Sequence, residues 1–147
     1  MSEPVGRPPQ NKLPPLYSLT AMGIATFLGS ALAAGYMLAS NYAALGQHRA
    51  GQFAMGGSVV FMLLLMFIPA SWATGVQAQI LLMFTQVAAV LLVANKLQGP
   101  MFATYEEMGG QYYSNWRGVL VGFATFGVLL IAVMLIFAIT GVPQPAA

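Results

Sequence analysis

Few side chains in this sequence could do acid–base or metal chemistry. His48 is the only histidine, Glu3, Glu106 and Glu107 are the only acids, and aspartate and cysteine are absent. Without Cys there is no thiolate nucleophile, disulfide framework, iron–sulfur ligand set or cysteine zinc site. With one His there is no His-pair metal site, and a Ser–His–acid triad would need a glutamate beside His48. A membrane enzyme acting on lipid is the one catalytic reading left, with Glu106, Glu107 and His48 as its acid–base candidates. That set is too thin to propose a metal or a cofactor, and the residues point to a non-enzymatic protein.

The remaining polar residues fall into groups. Thr26, Ser30 and Asn41 share one face of the first apolar segment, and Gln79 and Gln86, seven apart, share a face of the third. In hydrocarbon each of these groups needs a partner, so they read as inter-helix bonds or as a polar lining for a pore or small ligand. Tyr105, Glu106, Glu107, Tyr112, Tyr113, Asn115, Trp116 and Arg117 crowd into one connection, a candidate docking loop with an aromatic belt. Glu106 or Glu107 is placed to pair with Arg117, Lys96 or Arg49. Small residues Ala21, Ala25, Gly29 and Ala33 recur every four positions, and Gly118 and Gly122 form a second close-approach pair. Both read as helix-packing faces, because lipid removes the hydrophobic drive between helices and leaves close contact to hold them.

The elements that position these groups must lie in a membrane. Of 147 residues, 59% are hydrophobic and 5% charged, against roughly 25% charged in soluble domains. The mean hydropathy is +0.76. Five Lys/Arg and three Asp/Glu cannot cover a water-soluble surface, nor form a nucleic-acid-binding patch. Four apolar segments follow a proline-rich tail over residues 1–16: about 19–45, 54–72, 77–95 and 118–140, with a short tail at 142–147. All exceed the ~9–11 residues of a barrel strand. The expected fold is therefore all-α, an integral membrane four-helix antiparallel bundle, with a short interfacial helix around Met101–Met108 between helices three and four.

The first segment would span roughly 40 Å, longer than the ~30 Å hydrocarbon core, so it should tilt or emerge. A secretory signal peptide is a competing reading, with Arg7 and Lys12 as its basic region and Ala31-Leu32-Ala33 as its cleavage site. The apolar run continues past that site through Tyr36, Met37 and Leu38. Pro69 closes the second segment with Trp72 at the interface, and Ser114 or Asn115 caps the fourth, which Gly141 and Pro143 stop. With an even helix count, Arg49, Lys96 and Arg117 oppose Arg7 and Lys12 across the membrane. That weak bias puts the first and third connections in the cytoplasm and permits dual topology.

Two stretches carry a family resemblance. Leu16-Tyr17-Ser18, Ala25-Thr26-Phe27-Leu28-Gly29-Ser30-Ala31-Leu32-Ala33-Ala34-Gly35-Tyr36 and Asn41-Tyr42-Ala43-Ala44-Leu45-Gly46 form the first; Gly109-Gly110-Gln111-Tyr112-Tyr113-Ser114-Asn115-Trp116-Arg117 forms the second. Together they cover about a third of the chain. They resemble a group of small bacterial membrane proteins, in which proline often stands where Ala31 is here and more basic residues follow Gly46. The resemblance implies a bacterial inner-membrane setting and no particular activity. The functional expectation is a membrane subunit, scaffold or accessory protein. Its partners would be the lipid bilayer and either further copies of itself or a larger membrane complex. A small ion or solute channel or uniporter, as a dual-topology dimer, is the alternative.

Overall fold

The computed structural model describes residues 13–66 and 75–140. Within them lie five helices: α1 (Leu19–Gly29), α2 (Ala31–Ala44), α3 (His48–Met66), α4 (Val76–Glu107) and α5 (Asn115–Thr140). Among the described residues there is no strand, only an isolated parallel bridge between Leu16 and Tyr112. α4 and α5 are each long and apolar enough to cross a membrane.

The expected single helix over residues 19–45 is corrected to two. α1 stops at Gly29, and Ser30 takes φ 83 and ψ 177, a conformation rarely open to a side chain. The Ser30 N–H still donates to Thr26 O at 2.9 Å, closing α1. Its Oγ accepts from Leu32 N at 3.4 Å, opening α2. The chain then doubles back, because the Tyr17 N–H donates to Asn41 Oδ1 at 2.7 Å across 24 residues of sequence. On a straight helix those residues would lie roughly 36 Å apart. α1 and α2 therefore form a helical hairpin, each arm only about 16–21 Å long. This is the physical answer to a segment too long for one crossing.

The hairpin is the hub of the molecule. α2 packs against α3, and α1 against both α5 and α4, whereas contact among α3, α4 and α5 is sparse. α1 runs parallel to α5: a Cβ on Gly118 would sit 2.7 Å from Ala21 O, one on Gly122 would sit 3.2 Å from Ala25 O, and one on Gly29 would strike Gly122 O. The two small-residue faces thus meet. Ala33, however, belongs to α2, so the four-residue ridge is cut at Ser30. Thr125, which Gly29 approaches, lies about 15 Å into α5. The hairpin tip therefore reaches only part way along its neighbours, and from Phe126 onward α5 is almost wholly exposed.

Three further boundaries are corrected. α3 begins at His48 rather than at Ala54, so the first connection is shorter than expected. α4 does not end at Asn95 but runs through Pro100 to Glu107, so the expected interfacial helix is its last turns. A proline inside a helix costs about 3 kcal/mol. Here buried Gln98, Phe102 and Tyr105 on either side hold the helix on course. Gly109, at φ 75, then ends it, its N–H bonding Glu106 O and that of Gly110 bonding Tyr105 O, each at 2.9 Å. α5 starts at Asn115 rather than Gly118, with Ser114 Oγ accepting from Trp116 N at 3.4 Å. Pro69, Trp72, Gly141 and Pro143 lie outside the described residues.

Candidate functional site

The polar chemistry gathers at one end of the bundle, where residues 13–18 form a strap. Leu16 lies across the connection between α4 and α5. Its N–H donates to Gln111 O at 3.2 Å, and its carbonyl accepts from Tyr113 N at 2.8 Å. Beneath it, the Tyr105 hydroxyl lies 2.7 Å from Pro14 O and 2.8 Å from Gln111 O, and accepts from Gln111 N at 3.1 Å. With one hydrogen, that hydroxyl donates to one carbonyl at a time. Leu16 is fully buried and Tyr105 nearly so. Ser18 caps α1 by accepting from Ala21 N at 3.1 Å and reaches Asn115 Oδ1 at 3.3 Å.

Behind the strap lies an amide pair. Asn41 holds the Tyr17 backbone as a neighbouring strand would, with Oδ1 accepting from its N–H and Nδ2 donating to its carbonyl at 2.9 Å. Nδ2 also donates to Gln98 Oε1 at 3.1 Å, and Gln98 Nε2 donates to Leu38 O at 3.3 Å. Both amides are buried, and no buried side-chain N or O among the described residues lacks a partner. This network ties strap, α2 and α4 together; Tyr42 adds a bond from its hydroxyl to Leu97 O at 3.3 Å.

The aromatic residues close the end. Tyr17 and Tyr113 rings lie 4.8 Å apart, and the Arg117 guanidinium stands 4.2 Å over the Tyr113 ring. Tyr112 packs against Tyr105 at 5.5 Å and Phe102 at 5.8 Å, and its hydroxyl donates to Glu106 Oε1 at 3.0 Å. Burial, then the bond to the Glu106 carboxylate and its charge, pushes the Tyr112 phenol up to about 12. Burial likewise raises Tyr17. Glu106 is thus engaged by a phenol and Arg117 by an aromatic ring.

No family model, curated protein or solved structure matches this chain. The site must speak for itself.

The candidate polar lining does not assemble into a path. Thr26 is buried, with Oγ1 donating to Met22 O at 2.8 Å; Ser30 is spent on the hairpin turn, and Asn41 on the strap. The hairpin places Thr26 and Asn41 on different arms. Gln79 is exposed and Gln86 half-buried on α4, far along the helix from the amide pair. In the candidate docking loop, Tyr105, Tyr112 and Tyr113 are occupied by the strap and by each other, while Glu107, Asn115 and Trp116 remain exposed. His48 is exposed at the start of α3, and among the described residues no three His, Asp or Glu side chains gather as a metal site would need. Sequence reasoning missed Gln98. Its signal was a lone amide, three residues past the expected helix end, that could serve as a second partner for Asn41.

Proposed function

We propose that this chain is a multi-pass protein of the bacterial inner membrane with no catalytic role, acting as a subunit or scaffold that packs against itself or another membrane protein. The carrying observation is that α4 and α5, both of spanning length, are only 6% buried over their most apolar windows. Beyond the hairpin tip these helices are left without a neighbour among the described residues. Apolar exposure alone is what lipid requires. Helices separated over a whole bilayer leaflet also leave room for a partner's helices, and close helix contact is what holds membrane proteins together. α3, α4 and α5 are then crossings, and α1–α2 is a re-entrant hairpin entering and leaving on one side.

The hairpin also changes the orientation argument. The strap, the start of α3, the end of α4 and the start of α5 share one end of the bundle, which therefore carries Arg49, Lys96 and Arg117. Arg7 and Lys12 precede the strap in sequence, and no Lys or Arg occurs in residues 50–95 or 118–147. Under the positive-inside rule that end faces the cytoplasm. So complete a bias argues against dual topology and against the dual-topology channel.

The chain has no cysteine, so single cysteines report cleanly. Photo-crosslinkers attached at Ile131→Cys, Met134→Cys and Leu135→Cys in native membranes should give protein adducts from one side of α5. Lipid adducts alone, together with a lone monomer in mild detergent, would end this reading.

A further inference from the structure

Between α2, α3 and α4 runs an apolar cleft of about 260 Å³. One wall is Ala31, Gly35 and Leu38; the others carry Phe53, Gly57 and Phe61 from α3, and Ala89, Val93 and Leu97 from α4. Both outer walls use every fourth residue, so the cleft follows the helices for roughly 12 Å. Its one hydroxyl, that of Ser58, is turned to its own helix and donates to Met55 O at 2.7 Å. No wall side chain offers a free donor, and the contents must be apolar.

The volume exceeds the ~150 Å³ that admits one benzene ring, yet falls short of the roughly 300–1,000 Å³ of sites for compact drug-sized ligands. A single flexible hydrocarbon chain suits an elongated apolar space of this volume.

Charge decides what the chain belongs to. Arg49 lies one turn before Phe53 on the same face of α3, and Lys96 directly precedes Leu97. Both are exposed, and both lie at the strap end of the bundle, where the cleft begins. Tyr42, bonded to Leu97 O at 3.3 Å, joins α2 to α4 at this end. Two cations at the polar mouth of an apolar slot complement a phosphate attached to an acyl chain.

We propose that this cleft binds one acyl chain of an anionic glycerophospholipid, with Arg49 and Lys96 holding its phosphate at the membrane surface. The lipid thereby fills the gap that leaves α3 apart from α4. The inference rests on the membrane reading above.

The full chain, delipidated in detergent, is titrated with palmitoyl-oleoyl phosphatidylglycerol or the matching phosphatidylcholine, and bound lipid is counted by native mass spectrometry. Each basic side chain should contribute about a fivefold preference, so phosphatidylglycerol should be retained at least roughly tenfold more tightly. Gly57→Leu fills the slot, and a Cβ at Gly57 meets nothing within 4 Å, so it should fold and lose the tightly held lipid. Arg49→Gln with Lys96→Gln should keep one lipid and lose the preference. Equal retention of both lipids by the wild type, or undiminished retention by folded Gly57→Leu, overturns the proposal. The charge variant leaves the walls intact, and an unchanged preference there overturns it even if Gly57→Leu does not fold. Protein that stays in solution after detergent removal would instead fail the membrane reading.

Discussion

Asn41 shows how one side chain fixes a topology. Its amide supplies a donor and an acceptor to the Tyr17 backbone and a second donor bond to Gln98, all buried. Asn41→Leu keeps the volume but leaves the Tyr17 N–H and carbonyl without partners. Each buried unsatisfied group costs about 1–3 kcal/mol. The variant should therefore lose several degrees or more of thermal stability in detergent, and a double-mutant cycle with Gln98→Leu should show coupling of roughly 0.5–3 kcal/mol. Additive losses in that cycle would mean the two amides act separately. Tyr112 gives the pH dependence. Its phenol is raised in the fold, so the neutral form is favoured there; the contribution is complete below the ordinary phenol value of 10.0 and is lost as pH climbs towards about 12. Wild-type melting temperature should fall across that window, and Tyr112→Phe should fall less steeply. An identical alkaline profile for the two proteins would remove Tyr112 from the strap's energetics.

At the scale of elements, the helices were legible and their interruption was not. Uninterrupted apolar runs with too few charges for water pointed to α3, α4 and α5, closely at the start of α4 and both ends of α5, but six residues late at the start of α3 and twelve short at the end of α4. The break at Ser30 had no such mark, because serine is ordinary in membrane helices and the apolar run continues on both sides. Excess length was the only sign, and a tilted helix explains length as well as a hairpin does. Pro100 works in the opposite sense: a proline costs a helix locally, yet buried neighbours on the same helix outweigh that cost. The small residues were easier to read, because their spacing of four is itself the geometry of close helix approach. Gly29 meets Gly122 backbone to backbone, so Gly29→Ala must push α1 off α5, at about 1–3 kcal/mol or more for overpacking. Gly127→Ala is the control on the same helix pair. A Cβ there meets nothing within 4 Å, so it should stabilise α5 by up to about 1 kcal/mol through helix propensity alone. Equal effects of the two substitutions on the melting temperature would deny the close α1–α5 contact.

For the molecule as a whole, the membrane reading proposed above turns on parity. Four crossings return the chain to the side where it began; a hairpin with three crossings does not. The site followed the same logic. Its tyrosines and charged residues were visible in the sequence as one crowded connection. Their use was hidden, because the strap that occupies them comes from some 90 residues away (Pro14 to Tyr105). No local pattern announces a contact made through backbone carbonyls. The sidedness that results can be measured directly. Single cysteines at Ser114, beside the strap, and at Thr140, the far end of α5, should label from opposite faces of intact cells or oriented vesicles. A membrane-impermeant maleimide added outside should reach Thr140→Cys, with Ser114→Cys reacting only after permeabilisation. Labelling of both from one face would show that α5 does not cross; a third cysteine, Pro15→Cys in the exposed part of the strap, should share the face of Ser114→Cys, and sharing the face of Thr140→Cys instead would restore an even number of crossings and dissolve the re-entrant hairpin. Labelling of each from both faces would establish dual topology, against a charge distribution that places every Lys and Arg either before residue 50 or at Lys96 and Arg117. Neutralising Arg49, Lys96 and Arg117 together should then mix the two orientations, because those charges are the ones the fold gathers at a single end of the bundle.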